Sequence, residues 1–255
     1  MNYMKSAPLK QSRTGHALSV ALEFLFPSGC QVCATPLRGA PTPWFCGPCW
    51  AVEADHRVCF QCGDFLASET VTRVPEWRCG ACMRAAPPFA RARVLGGYDG
   101  LYGHAVRLLK YREKTSLANY LAGRIRPRAY PDGFWDVDLV MPVPLHPSRL
   151  RERGFNQSAR LAAAVGRRMG LPVAGHLLER TVATASQVGL KRRERLRNVA
   201  RAFAVCDTDS VAGKSVLLVD DVITTGATLS ACARALMRAG AVRVNAWAVA
   251  RQTAL

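Results

Sequence analysis

Two adjacent aspartates and the short turn after them form the most informative stretch of the sequence. Asp220 and Asp221 follow the aliphatic run 216–219, which predicts a buried strand ending at the sheet edge where α/β folds bind ligands. Carboxylates placed there can accept hydrogen bonds from the neighbouring hydroxyls of a ribose and can meet Mg²⁺. The turn then opens a helix, whose positive end favours a phosphate. Its small and hydroxyl-bearing residues are Thr224, Thr225, Gly226, Ala227 and Thr228.

The same stretch resembles the signature of the type I phosphoribosyltransferase family. The resemblance implies that Asp220 and Asp221 address the ribose hydroxyls of phosphoribosyl diphosphate and belong to the catalytic centre. It also implies that residues 224–228 cradle the 5-phosphate and that Mg²⁺ accompanies the diphosphate. An ordinary strand, turn and helix with acidic surface residues is the alternative interpretation.

A donor-rich segment, 144–157, precedes a predicted helix and is interpreted as a loop that binds the diphosphate. Arg149, Arg151 and Arg153 offer forked donors to phosphate oxygens, while Asn156 and Gln157 can add neutral ones. His146 is interpreted either as a proton-transfer group or as a packed turn residue. The residues that we assign to the diphosphate site here are Leu145, His146, Arg149 and Arg153.

A second cationic segment, 187–199, has a flexible beginning and then a helix-like run. It contains Lys191, Arg192 and Arg195, which we also assign to the diphosphate site. Cations that hold the departing diphosphate more strongly as its charge develops would lower the barrier, and closure of the segment would exclude water. The alternative is a solvated helix that only covers the sheet.

Eight of the ten cysteines form Cys-x-x-Cys pairs with the spacing of structural zinc sites. We predict two zinc ions, each bound by four thiolates and without an open coordination position. Pairing in sequence order is the simplest arrangement, an interleaved pairing would use the same ligands, and redox or disulfide use is the alternative. The ligands are Cys30, Cys33, Cys46, Cys49, Cys59, Cys62, Cys79 and Cys82.

The chain has a net charge of +17, and the region 149–201 holds 13 Lys or Arg against three acidic residues. This balance favours phosphorylated substrates or polyanionic partners. The apolar stretch 17–26 is short, contains Glu23 and lacks a cleavage pattern, so it predicts an amphipathic helix and not a signal peptide. With no stretch long enough to span a bilayer, we expect a cytoplasmic protein.

The elements that must position these residues follow an alternating order. Strands are predicted at 93–98, 138–143, 216–219 and 242–249, and helices at 104–125 (interrupted near Lys114), 158–169 and 228–239. This order predicts an α/β fold with a parallel sheet flanked by helices. We expect a tail and short helix at 1–28, a double zinc ribbon at 29–86 and a phosphoribosyltransferase-like domain at 87–255. The hood over the acceptor is placed at 96–112, with residues near Phe134 and Trp135.

Several blocks resemble the ComF (GntX-like) family, which joins a cysteine-rich zinc region to such a domain. They are 142–146, 151–157, 192–198 and 109–112. The resemblance implies a link to natural competence, DNA uptake and internalised single-stranded DNA, and it makes proteins of the uptake machinery possible partners. The alternative function is that of a non-catalytic protein that binds single-stranded DNA and keeps the fold. A third possibility is a ligand-sensing regulator, but the sequence shows no helix-turn-helix pattern. Aromatic residues among the cysteines (Trp44, Trp50, Phe60, Trp77), with Arg57, either stack on bases or shield the metal sites.

Overall fold

A computed structural model describes residues 29–51, 58–66, 76–110, 116–181 and 202–252. The chain divides into two compact units, Met1–Val52 and Glu53–Leu255. The first contains helix α1 (Gly47–Ala51). The elements of the second are α2 (Gly80–Arg84), β1 (Arg91–Gly97), α3 (Leu101–Leu108), α4 (Leu117–Gly123), a 3₁₀ helix (Pro127–Ala129), β2 (Leu139–Pro142), α5 (Pro147–Arg153), α6 (Gln157–Met169), β3 (Leu178–Arg180), β4 (Phe203–Val205), β5 (Ser215–Ile223), α7 (Ala227–Arg238) and β6 (Arg243–Arg251).

A four-stranded parallel sheet in the order β1-β6-β5-β2 forms the centre of the second unit. The central strand β6 is buried along almost its whole length, as expected for a strand covered on both faces. A separate two-stranded antiparallel sheet is formed by β3 and β4. The predicted α/β fold with a parallel sheet and flanking helices is confirmed.

Helices cover the two faces of this sheet because alternate residues of β5 point to opposite sides. Val216 and Leu218 belong to a core with α7 and with the β3–β4 sheet, including Leu236 and Phe203. Leu217 and Val219 are equally buried but lie outside that core. Helix α6 packs on β5 and β2 and is joined by α4.

Most predicted elements are present, with altered bounds. Strand β5 continues through both aspartates to Ile223, where the prediction ended it at Val219. The predicted helix 104–125 is two helices, α3 and α4, and residues 111–115 between them are outside the described part. Among the described helices, none is long and apolar enough to cross a membrane.

The interpretation of residues 144–157 as a loop is wrong, because they contain α5. Pro147 occupies the first turn, where its missing N–H costs nothing, and the His146 ring accepts a hydrogen bond from the Ser148 N–H. Gly154 ends the helix in the left-handed conformation, with φ of 75°. The cationic residues Arg149 and Arg151 therefore lie on a helix and not on an extended loop.

The two cysteine-rich segments have the same backbone arrangement, and we call them the first ribbon (residues 29–51) and the second ribbon (58–66 and 76–84). The N–H groups of Cys30 and Cys59 donate to the carbonyls of Thr35 and Asp64, each five residues further on. Isolated bridges join Gly29 to Pro36 and Val58 to Phe65. A short helix begins directly after the third cysteine of each ribbon and contains the fourth. The repetition seen as cysteine pairs in the sequence is a structural duplication.

Candidate functional site

The predicted phosphate turn lies between the carboxyl end of β5 and the first residue of α7. Gly226 stands at the cap position of α7 with φ of 74°, a conformation that an L side chain rarely adopts. It supplies no side-chain cap, and Thr225 Oγ1 accepts the Ala227 N–H at 3.3 Å. Thr224 and Thr225 are exposed. The turn therefore presents hydroxyls and first-turn N–H groups together at the positive end of a helix, which suits a phosphate.

Both aspartates are held by the first turn of α6. Ser158 Oγ donates to Asp220 Oδ1 at 2.9 Å, and Gln157 Nε2 donates to Asp221 Oδ2 at 3.1 Å. The Asp221 N–H also donates to Asp220 Oδ1 at 2.9 Å. Ser158 and Gln157 are buried, so the orientation of each carboxylate is fixed by a group that solvent does not compete for.

Burial raises the pKa of Asp220 well above its ordinary value of 3.8, and the neighbouring Asp221 raises it further. Hydrogen bonds from the Asp221 N–H and from Ser158 oppose that increase in pKa. A carboxyl held in this way keeps its proton to a higher pH than an exposed aspartate does. Perturbed carboxyl groups of this kind occur at functional sites.

The start of α6 is anchored independently of the aspartates. Asn156 caps the helix by accepting the Ser158 N–H at 2.9 Å, and its Nδ2 donates to the Val143 carbonyl at 3.0 Å. Its amide donor is therefore used inside the protein. Asn156 and Gln157 were expected to donate to the diphosphate, but the structure uses them to attach α6 to β2 and to Asp221.

The other predicted diphosphate ligands on α5 differ in their surroundings. Arg153 is partly buried and donates to Gln157 Oε1 at 2.7 Å, which places it beside the aspartates. Arg149 is exposed and pairs with Glu152 at 3.3 Å. His146 caps α5, with Ser148 Oγ 2.8 Å from its Nδ1, and Leu145 is partly buried. Lys191, Arg192 and Arg195, with Tyr111, Arg112 and Arg57, lie outside the described residues.

Arg180 is a cation of this region that the sequence analysis missed. It ends β3, and its guanidinium carbon lies 5.6 Å from the centre of the ring of Phe203, its partner on β4. Burial lowers the pKa of Arg180, while Cys232 and Asp220 act in the opposite direction. No motif surrounds it, and only the pairing of two distant strands brings it to the site. Ser158 was also missed as a site residue, although it is the first residue of the predicted Ala-rich helix.

The predicted hood residues fall at opposite ends of the sheet. Residues 96–110 follow β1 and lie at the carboxyl end, where the Tyr98 N–H donates to the Arg251 carbonyl. Phe134 and Trp135 precede β2, and the Phe134 carbonyl accepts from Asn245 near the start of β6. They form an aromatic cluster with Tyr130, with ring centres 4.8 to 5.2 Å apart. Their assignment to the hood is wrong, because they line the amino edge.

Each ribbon brings four cysteine sulfurs within 4.8 Å of one another, in sequence order. Cys33 and Cys46 are 3.5 Å apart at sulfur, and Cys62 and Cys79 are 3.7 Å apart. A tetrahedral zinc ion with Zn–S bonds of about 2.3 Å separates its sulfurs by about 3.8 Å. The two groups can therefore hold metal ions, and their geometry is consistent with zinc. The interleaved pairing does not occur.

Aromatic residues of the ribbons pack beside the cysteines. Trp44 is buried, and Phe45 stacks on Trp50 with ring centres 5.8 Å apart. The Arg91 guanidinium covers the Phe60 ring at 4.6 Å. These contacts favour a shielding role over base stacking.

The second ribbon is joined to strands β1 and β6 of the parallel sheet by hydrogen bonds to its turn carbonyls. The Ala92 N–H donates to Gln61 O at 2.7 Å, Arg93 donates to Phe60 O at 2.9 Å, and Arg251 donates to Cys62 O at 2.9 Å. Arg251 also pairs with Asp64 at 2.8 Å. Both arginines are buried, at 8% and 7% exposure. This ribbon therefore covers the outer edge of β1.

Comparison with known proteins finds a family for the carboxyl-terminal part of the chain and relatives for most of its length. The family described as "Phosphoribosyl transferase domain" matches residues 158–254, a range that contains both aspartates and the turn. The DNA utilization protein YhgH of Escherichia coli K12 is 32% identical over 231 residues, covering 88% of this chain and 97% of that protein.

Two competence proteins are also similar. Competence protein F of Haemophilus influenzae is 26% identical over 211 residues, covering 81% of this chain and 90% of that protein. Competence protein ComFC of Bacillus subtilis is 26% identical over 214 residues, covering 83% of this chain and 78% of that protein.

Proposed function

The chain belongs to the ComF family, and from this premise we propose that it binds phosphoribosyl diphosphate with Mg²⁺ at the carboxyl end of β5. The observation that supports the proposal most directly is the order of the carboxylates and the phosphate-type turn along the chain. Two oriented carboxylates lie on β5, and three residues after the second one begins the turn at the start of α7, where Gly226 supplies no side-chain cap. This order matches the order of hydroxyls and 5-phosphate along a ribose 5-phosphate.

Each part of the ligand has a chemically matched group in the proposed complex. Asp220 and Asp221 accept from the 2- and 3-hydroxyls, and residues 224–228 donate to the 5-phosphate. Arg153, with Arg149, His146 and the Leu145 backbone, holds the diphosphate, and Lys191, Arg192 and Arg195 complete this set. Mg²⁺ neutralises the diphosphate charge when it is bound with the substrate.

In a transfer reaction the bond between the anomeric carbon and the diphosphate oxygen breaks, and the diphosphate leaves with the electron pair. A nucleophile of the acceptor forms the new bond to the same carbon. The arginines stabilise the charge that accumulates on the departing oxygens.

Isothermal titration of the full chain with phosphoribosyl diphosphate and Mg²⁺ tests the binding site. We expect saturable binding that the double substitution Asp220→Asn, Asp221→Asn weakens by at least about tenfold, because two charged acceptors are lost. Asp209→Asn, at an exposed turn away from the site, is the matched control and should bind like the parent. Absence of binding, or equal binding by the double variant, contradicts the proposal.

The relatives named for DNA utilization and competence support a biological setting for this activity. We propose that the protein works in the cytoplasm on internalised single-stranded DNA, alongside proteins of the uptake machinery, with zinc in both ribbons. The net charge of +17 favours such a partner. Fluorescence anisotropy with labelled oligonucleotides should show affinity that falls steeply with salt, and a flat response near background would exclude DNA as a ligand.

Catalysis is tested separately from binding by measuring diphosphate release in a screen of nucleobases, nucleotides and oligonucleotides. Release that depends on one acceptor identifies a transferase. Binding of phosphoribosyl diphosphate and DNA without release for any acceptor would favour the non-catalytic alternative.

A further inference from the structure

Gln157 joins the arginine side of the site to the carboxylate side. It is the first residue of α6 and is only 5% exposed. Its Oε1 accepts from Arg153 at 2.7 Å and its Nε2 donates to Asp221 at 3.1 Å. One side-chain amide therefore forms the complete link between a cation on α5 and an acid on β5.

The order of these three groups gives the link a fixed polarity. If the amide turned over, its NH₂ would face the guanidinium and its oxygen would face the carboxylate, and both contacts would be repulsive. In the observed order the cation polarises the amide toward the anion, so each hydrogen bond strengthens the other. A displacement of Arg153 therefore changes the orientation of Asp221, and a displacement of Asp221 changes that of Arg153.

Gln157 is not the sole anchor of α6. Asn156 already attaches the helix to the Val143 carbonyl and caps the Ser158 N–H, and Ser158 holds Asp220. The amide of Gln157 contributes something that these anchors do not, which is a connection that passes from α5 through α6 to β5.

We propose that Gln157 is a positioning residue that couples the diphosphate side of the site to the ribose side. The inference rests on the proposed function. A ligand group that aligns Arg153 also orients Asp221 through the amide, so each half of the ligand prepares the site for the other half. The coupling favours a molecule that carries both groups over free diphosphate or free ribose 5-phosphate. By linkage, the effect is equal in the two directions.

A double-mutant cycle tests the coupling. Binding of phosphoribosyl diphosphate with Mg²⁺ is measured for Arg153→Ala, Asp221→Asn and the double variant, first with Gln157 present and then in a Gln157→Met background. With Gln157 present, we expect the combined loss of affinity to differ from the product of the single losses by at least about fivefold. In the Gln157→Met background, which lacks both hydrogen-bonding groups of the amide, the losses should multiply to within about twofold.

Asn156→Ala is the matched control, since it removes an anchor of α6 without touching the link. It should lower the melting temperature and leave the fivefold coupling intact, which a merely structural role for Gln157 would not predict. Multiplicative losses in the presence of Gln157 overturn the inference while leaving the proposed function standing. If the parent chain binds no phosphoribosyl diphosphate, the proposed function itself fails, and the inference fails with it.

Gln157→Glu gives a second test that does not depend on the methionine variant folding. The carboxylate keeps an acceptor for Arg153 but replaces the donor to Asp221 with a like charge. Affinity for ribose 5-phosphate should fall by at least about tenfold, and affinity for diphosphate with Mg²⁺ by less than about threefold. Equal losses for the two ligands would contradict the assignment of the amide oxygen to Arg153 and of the amide nitrogen to Asp221.

Discussion

Asp220 experiences opposing influences on its ionisation. Burial and the adjacent Asp221 raise its pKa, while hydrogen bonds from Ser158 and from the Asp221 N–H lower it. The net increase in pKa means that, without ligand, the folded protein retains a proton that the unfolded chain releases above pH 3.8. Folding stability therefore falls as pH rises from that value toward the raised pKa, and the loss persists at higher pH. A bound Mg²⁺ or ribose hydroxyl would relieve this loss by favouring the carboxylate.

Asp220→Asn should remove this dependence on pH. Without ligand, the variant should be more stable than the parent at pH 7 to 8, and the difference should shrink toward pH 4 because Asn carries no proton to lose. Urea unfolding of both proteins across this pH range measures it. Ser158→Ala should have the opposite effect and enlarge the decline, because it removes a hydrogen bond that favours the carboxylate. Parallel stability curves for parent and Asp220→Asn would contradict the argument.

At the scale of elements, sequence patterns predicted the parts of the site that are contiguous in the chain. The aspartates, the turn and the start of α7 are neighbours in sequence, so their placement followed from one strand and one helix. Helix α5 was missed because its cap is His146, outside the usual capping residues, and its arginines show no apolar period. Arg180 could not be predicted, since only the closure of β3 on β4 brings it near Asp220. Phe134 and Trp135 were wrongly assigned to the hood at the carboxyl edge. Their position before β2 predicts the amino edge, because residues that precede a parallel strand lie there.

The two ribbons have different residues at one equivalent turn position, and the difference follows from what packs against each turn. Ala34 in the first ribbon and Gly63 in the second both have positive φ, 61° and 70°. A Cβ on Gly63 would lie 2.5 Å from the Ala92 carbonyl oxygen, whereas Ala34 is exposed. Glycine is thus required in the second ribbon by the close approach of β1 as well as by the backbone conformation.

Gly63→Ala should therefore cost more stability than the backbone conformation alone explains. Gly213→Ala is the matched control, since Gly213 has φ of 72° and no atom within 4 Å of an added Cβ. We expect the control to lose about 1 kcal/mol, or about 2–4 °C in melting temperature, and Gly63→Ala to lose at least about twice as much. Thermal unfolding monitored by circular dichroism measures both. Equal losses would show that β1 can move away from the ribbon without cost.

At the scale of the whole molecule, the two cysteine groups belong to different compact units. The first lies in Met1–Val52, and the second lies in Glu53–Leu255 with the parallel sheet. A divalent zinc ion with four thiolates carries a net charge of −2, and the second ribbon is hydrogen-bonded by two buried arginines, Arg93 and Arg251. Burying such arginines is costly unless a negative group accompanies them. The proposed metal of the second ribbon would therefore also stabilise the edge of the sheet.

Loss of metal from the two ribbons should accordingly have unequal effects on the domain that contains the sheet. In the full chain, Cys62→Ser with Cys79→Ser should lower the melting temperature of this domain by at least about 5 °C, because Arg93 loses its counter-charge, Arg251 keeps only Asp64, and the outer edge of β1 loses its cover. The matched pair Cys33→Ser with Cys46→Ser should lower it by less than about 2 °C, since these residues fold in the other unit. Metal content of each variant, with hydrogen exchange at β1 and β6, separates local from global loss. Equal destabilisation by the two pairs would show that the first ribbon also stabilises the sheet. It would contradict the inference from the buried arginines that the second ribbon alone does so.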